Sequence, residues 1–176
     1  DVLGEPLTRS TNSNAGPGGS DNLVKHWVNA AISITPNGLN EVNDPHTFDI
    51  KVIANSAGQA VTFGDVTTSV DPGPGSKTDT CSAAERTVVG DELTCTLTIN
   101  SPTTGTFTAS ATATVTIGTG NDAVPFVLTT NGQGGNSGPA TKDYADAYVK
   151  ITPDDVNPVN ESHTFTAEFG VLPAGG

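Results

Sequence analysis

Methionine is absent from the 176 residues, lysine and arginine together number seven, and aromatic residues make up 5% of the chain. The basic residues stand singly against nineteen acidic ones, for a net charge of −12. A nucleic-acid partner or an anionic-lipid surface needs clustered Lys and Arg, so this distribution argues against both. No apolar run approaches the roughly eighteen residues of a membrane span, and no membrane insertion is expected. Residues 1–21, DVLGEPLTRSTNSNAGPGGSD, have no charged start followed by an apolar core and do not read as a signal peptide. Helical periodicity is missing over any useful length. Cysteine occurs only twice, with no Cys-x-x-Cys spacing, which is too little for a zinc site.

What is present is a repeat. Residues 25–48, KHWVNAAISITPNGLNEVNDPHTF, return without a gap 117 positions later as residues 142–165, KDYADAYVKITPDDVNPVNESHTF. The identical positions are Lys25, Ala30, Ile34, Thr35, Pro36, Asn40, Val42, Asn43, His46, Thr47 and Phe48 with their partners. Where residues differ, the alternation is kept. Ala30, Ile32 and Ile34 correspond to Ala147, Val149 and Ile151, and Phe48, Ile50, Val52 and Ala54 correspond to Phe165, Ala167, Phe169 and Val171. A period of two with one apolar side predicts a strand with one buried face. Each copy therefore opens with two strands joined by a loop of about ten residues, too long for a tight hairpin and suited to a crossing between sheets.

Further strands follow from the same reasoning. Residues 59–70 form a third strand with a bulge near Gly64 and Asp65, because Val66 is out of phase with Val61 and Phe63. The stretch DPGPGS is a turn. Residues 92–100 alternate with Cys95 on the inward side, and residues 106–117 give the longest alternation in the chain. A short strand is expected at residues 124–128 and, ahead of the first copy, at Pro6 and Leu7. The expected organisation is a lead-in and Gly/Asn-rich connector over 1–24, a complete sandwich over 25–117, a connector over 118–141, and the first two strands of a second unit over 142–176. A sandwich needs roughly seven strands to cover its core. The second unit is thus either continued in a longer chain or completed by another molecule. Cys81 and Cys95 bracket a polar loop. The alternative to a disulfide is two buried thiols in a cytosolic protein, but the Thr-rich, Lys-poor, Met-free composition reads as extracellular and favours the bond.

Three stretches together carry a family resemblance: the order ITPNGLNEVNDPHTF, the Cys-containing strand pair, and SPTTGTFTASATATV. They resemble the bacterial immunoglobulin-like (Big) repeats found in tandem in surface and secreted proteins, including stalks of the invasin and intimin type. The resemblance covers residues 25–117 and the start of a second unit. It implies an all-β, immunoglobulin-like β-sandwich acting outside the cell as a spacer or adhesive module. The long Gly/Asn connector and the partial second unit depart from that pattern. Related surface modules contain a self-formed Lys–Asn isopeptide bond, for which Lys25 or Lys51 could supply the amine.

Several residues invite a chemical role. His46 and His163 recur, but a catalytic histidine needs a nucleophile or a metal and neither travels with them, so they are expected to bond the preceding loop. Thr47, Phe48, Thr164 and Phe165 complete that structural motif. Trp27 and Tyr144 share a position and are expected to pack against a neighbouring domain, with sugar stacking as the alternative. Asp143, Asp146, Asp154 and Asp155 are the candidate calcium ligands. Calcium wants six to eight converging oxygens, no Asp-x-Asp-x-Asp run is present, and a solvated acidic face is the plainer reading. No other cofactor is implied. The residues 160–162 match a glycosylation triplet.

The resulting expectation is a non-catalytic structural or adhesive repeat of an extracellular or cell-surface protein. Its partners would be neighbouring repeats or identical subunits, and a host or surface glycan or protein. Two other classes stay open. One is a filament subunit in which residues 142–171 add to a neighbour's open sheet. The other is a carbohydrate-binding module, which would need a planar row drawn from Trp27, Tyr144, Tyr148 and the six phenylalanines.

Overall fold

The computed structural model describes Thr11 and residues 20–172; the short strand expected at Pro6 and Leu7 lies outside these. Eleven strands follow in order: β1 (Asn29–Thr35), β2 (Gly38–Glu41), β3 (His46–Asn55), β4 (Val61–Asp71), β5 (Ser76–Asp79), β6 (Thr87–Val89), β7 (Glu92–Asn100), β8 (Gly105–Ile117), β9 (Val124–Thr129), β10 (Ala140–Thr152) and β11 (Thr166–Leu172). They make two sheets packed as an immunoglobulin-like sandwich. One has the order β1-β3-β7-β5, with β6 also on β7. The other has the order β11-β10-β8-β4, with β2 on β10 and β9 on β8.

The alternation in the sequence became the core. Ala30, Ile32 and Ile34 of β1, Phe48, Ile50, Val52 and Ala54 of β3, and Leu93, Cys95, Leu97 and Ile99 of β7 are buried from one sheet. From the other come Phe107, Ala109, Ala111, Ala113, Val115 and Ile117 of β8, with Leu128, Ala140 and Tyr144. Alanine recurs on the inner side of β8 opposite the large side chains of β3 and β7, so the two layers can interdigitate at native density. Cys81 and Cys95 form a disulfide that ties the segment between β5 and β6 to β7.

The bulge in β4 is where expected, the register shifting between Phe63 and Val66. A bulge turns backbone carbonyls out of the ladder. Here the Arg86 guanidinium donates to the Phe63 carbonyl at 3.0 Å and to the Gly64 carbonyl. Gly64 is required there because a Cβ would collide with Thr114 Oγ1 on β8. Thr68 Oγ1 on β4 donates to Asp79 Oδ2 on β5 at 2.5 Å, bridging the two sheets along one side. That hydrogen bond is the main reason the Asp79 carboxyl is held below its ordinary pKa, against the opposing effect of its partial burial.

The path between the first two strands of each copy differs from expectation. β1 and β3 do not lie in opposite sheets; they are antiparallel neighbours, from Asn29 opposite Asn55 to Thr35 opposite Asp49. The loop between them makes the crossing instead. It visits the other sheet as β2, parallel to β10, and comes back. β5 and β6 had no sequence signal, since both are short and fully exposed. They form because β7 offers main-chain partners on that side.

The connector is also used differently. β9, expected as a short strand of the connector, pairs with β8 from Thr112 opposite Thr129 to Ile117 opposite Val124. Lys142, expected to begin the second unit, instead pairs with Phe107 of β8. β10 is one continuous strand with two sets of partners. Ala140 to Tyr144 pair with β8, and Asp146 to Thr152 pair with β11. Between β9 and β10 the Gly/Asn tract crosses to the far sheet and covers the free side of β1. Asn136 Oδ1 accepts from the Ile32 amide at 3.0 Å, Ser137 Oγ accepts from the Ile34 amide at 3.1 Å, and the Ser137 amide donates to the Ile32 carbonyl at 2.9 Å. An unpaired strand edge is a template for association, and this tract blocks it.

Candidate functional site

The side chains that recur between the copies converge on one place, the meeting of β2, the start of β3 and the first half of β10. The loop after β2 forms first. Asn43 sits in the left-handed region at φ 67°, and its counterpart Asn160 at φ 71°. Asparagine is one of the few non-glycine residues that tolerates this conformation, which accounts for its identity in both copies. Asn40 Nδ2 then donates to the Asp44 and Pro45 carbonyls, each at 3.2 Å. In the second copy Asn157 Nδ2 donates to the Ser162 carbonyl at 3.0 Å. The loop therefore holds itself together.

Both histidines close the same loop from its other end. His46 Nε2 lies 3.2 Å from the Pro36 carbonyl, and His163 Nε2 lies 3.4 Å from the Pro153 carbonyl. Because a carbonyl only accepts, Nε2 is the protonated nitrogen in each, and Nδ1 is left unprotonated in the neutral ring. Each ring stands edge-on to the phenylalanine two residues on, at 4.6 Å for Phe48 and 4.5 Å for Phe165. Burial lowers the His46 pKa from its ordinary value. The Pro36 hydrogen bond opposes that shift, and the nearby Lys142 charge adds to it. Thr47 reaches Thr98 Oγ1 on β7 at 2.8 Å.

Lys142 and Tyr144 come in from β10. Tyr144 is completely buried, its ring edge-on to Phe107 at 5.6 Å and its hydroxyl donating to the Ile99 carbonyl at 3.0 Å. Trp27, at the same place in the repeat, is 85% exposed. Burial of Tyr144 in the first sandwich removes it from any sugar-stacking row. Lys142 is 0% exposed, with its Nζ 2.5 Å from Asn40 Oδ1 and 5.3 Å from the centre of the Tyr144 ring. Loss of solvation lowers its pKa, with Asp44 and Asp143 pulling the other way. The sequence marked Lys142 as the repeat partner of Lys25 but gave no sign of its burial. A lysine beside an aromatic in an alternating strand reads as a solvated position unless the strand's partners are known. Of the amines considered from sequence, Lys51 is paired with Glu92 at 2.9 Å on the surface and Lys25 is exposed.

Three of the four candidate calcium ligands make separate hydrogen bonds. Asp143 Oδ1 accepts from Thr106 Oγ1 at 2.6 Å, Asp146 Oδ1 accepts from the Ala147 amide, and Asp155 Oδ1 accepts from the Val156 amide. Among the described residues no group of three or more His, Cys, Asp or Glu side chains is placed to hold a metal ion. No described helix is long and apolar enough to cross a membrane.

The second feature of the site is a bare sheet face. Residues 146–152 and β11 repeat the β1–β3 pair, with Val149 opposite Phe169 and Ala147 opposite Val171. Val149, Ile151, Phe165, Phe169 and Val171 are all exposed there, between 61% and 78%. Comparison with protein-family models, curated proteins and solved structures finds no match for this chain.

Proposed function

We propose that this chain is a stretch of a tandem immunoglobulin-like array that works outside the cell as a non-catalytic spacer or adhesive stalk. The observation that carries this reading is β10, a single 13-residue strand whose first half finishes one sandwich and whose second half starts the next strand pair. With no linker residues between the two halves, the joint is one continuous strand, and successive units are expected to keep a narrow range of angles. The disulfide, the Thr-rich acidic surface and the resemblance to Big-type repeats support an extracellular setting. In this reading the structural unit is offset from the sequence repeat: Lys-x-aromatic closes a unit rather than opening one.

Spin labels at Thr62 on β4 and Glu168 on β11 test it. A narrow distance distribution is expected, broadening when a flexible Gly-Ser segment is inserted between Ala145 and Asp146. A broad distribution in the unmodified chain would sink the spacer reading.

The exposed apolar face of residues 146–152 and β11 favours a second reading, a filament subunit whose last strands are completed by a neighbouring chain. The mass of the never-denatured particle separates the two. A species near the 17.8 kDa of one chain, unchanged on dilution, leaves the spacer. A large assembly that denaturant returns to that mass makes it a filament.

A further inference from the structure

Lys142 is an anomaly that the spacer reading does not use. A buried ammonium carries three donors and needs partners for them. Here the hydrogen-bonded partner is one amide oxygen, Asn40 Oδ1, and among the described residues no carboxylate lies within ion-pair distance. Loss of solvation shifts such a site toward the neutral amine, which is a nucleophile.

The electrophile beside it is held still. Asn40 Nδ2 is fixed by the Asp44 and Pro45 carbonyls, so Oδ1 and Cγ face the amine. With Nζ 2.5 Å from Oδ1 and a C=O bond of about 1.2 Å, the distance from Nζ to Cγ is under about 4 Å. That is close to near-attack separation. A base is present as well. His46 donates from Nε2 to Pro36, which leaves Nδ1 free to accept. Nδ1 and Lys142 Nζ both lie within 3.3 Å of the point where a Cβ on Gly38 would stand, so glycine at that position lets the two approach. Each of the three has an identical counterpart in the other copy of the repeat: Lys25 for Lys142, Asn157 for Asn40 and His163 for His46. Asn40 and His46 also hold the loop after β2, but those loop hydrogen bonds make no use of a buried lysine.

We propose that Lys142 and Asn40 form an intramolecular isopeptide bond that welds β10 to β2. The amine adds to Cγ of Asn40, and a new C–N bond forms. His46 Nδ1 takes the proton that the amine gives up and passes it to the departing nitrogen. The Cγ–Nδ2 bond breaks and Nδ2 leaves as ammonia. Atoms and charge balance without an oxidant or cofactor. The bond closes a loop from residue 40 to residue 142, so a pull applied through β10 reaches β2 through covalent bonds.

Mass spectrometry of the full chain, denatured and reduced, tests this. The expected mass is one ammonia below that of the sequence. Asn37-Gly38 and Asn131-Gly132 can lose ammonia as succinimides, so the mass is read after mild alkali, which hydrolyses a succinimide and spares an isopeptide. Trypsin cannot cut at an acylated lysine. Residues 26–51 are therefore expected joined to residues 87–150, with no free 143–150 peptide. Asn40→Ala and Lys142→Arg restore the full mass, and Lys25→Arg leaves the deficit in place. A wild-type chain at full mass overturns the proposal, as does a deficit that alkali removes while peptide 143–150 is released.

Discussion

The strand pair β1–β3 and the pair formed by residues 146–152 with β11 share a sequence pattern, a register and a loop geometry, yet differ in every measure of burial. Ile32 is 1% exposed and its counterpart Val149 is 67%; Phe48 is 0% exposed and Phe165 is 61%. The internal parts of the motif survive in both: the left-handed Asn, the Asn side chain on the loop carbonyls, and the His on the carbonyl ten residues back. Local hydrogen bonds therefore fold this loop without a core. What the first pair has in addition is β7 beside it in the same sheet and the facing sheet with β8, which covers its apolar face. The same comparison runs in reverse at the aromatic position, where Tyr144 is enclosed and Trp27 is bare.

Removing the two phenylalanines breaks the comparison most sharply. Phe48→Ala should cost about 3–5 kcal/mol, as expected for a buried aromatic, while Phe165→Ala should stay within about 0.5 kcal/mol. Denaturant titration of each variant gives both values, and equal losses would mean that the second pair is also covered in solution. Next comes the disulfide, which belongs to the first sandwich alone. Replacing Cys81 and Cys95 together by alanine should lower the stability of that sandwich by about 3 kcal/mol in the chain-entropy model. Amide exchange of residues 146–152 should not change with it.

A smaller effect is expected at the turn. Asn43→Val forces a branched side chain into the left-handed region and should cost about 1–2 kcal/mol; Asn160→Val should leave the main unfolding transition where it is. Thermal melts of the two variants make the comparison, and a matching drop for Asn160→Val would show both loops unfolding as one unit.

The smallest effect is that of pH. His46 has a folded pKa below its ordinary value near 6.5, so the unfolded state binds the proton more readily. Stability should decline as pH falls below that ordinary value and level off beneath the lowered one. Asp79, whose folded carboxyl pKa is lowered from 3.8, adds a second decline as pH falls through its folded value. In His46→Gln the first decline should be missing while the second remains. Melting temperatures from pH 7.5 to 3 read both.

Much of this fold was legible in advance, and the reason is the period of two. Inward positions of β1, β3, β7 and β8 could be named because a sheet with one covered face imposes alternation on its sequence. The bulge was legible because Val66 breaks phase, and the disulfide because two cysteines bracket a single loop. The candidate site was not legible as a site. Asn40, His46 and Lys142 each stood out as repeated residues, but Lys142 is 102 positions from Asn40. A parallel pairing of β2 with β10 leaves no pattern in either strand. Short, fully exposed β5 and β6 left no trace for the same reason: only their main chains take part.

By itself, then, the sequence determined the local structure: which side of each strand is apolar, where the turns fall, and that Asn43 and Asn160 take the left-handed conformation. These depend on neighbours a few residues away, and a one-dimensional string records such neighbours directly. The tertiary structure alone decided that Lys-x-aromatic closes a sandwich, that the Gly/Asn tract guards β1, and that Lys142 lies dry against Asn40. Each of those rests on which strand lies beside which, and strand pairing is chosen by the fit of whole faces rather than by any residue within them.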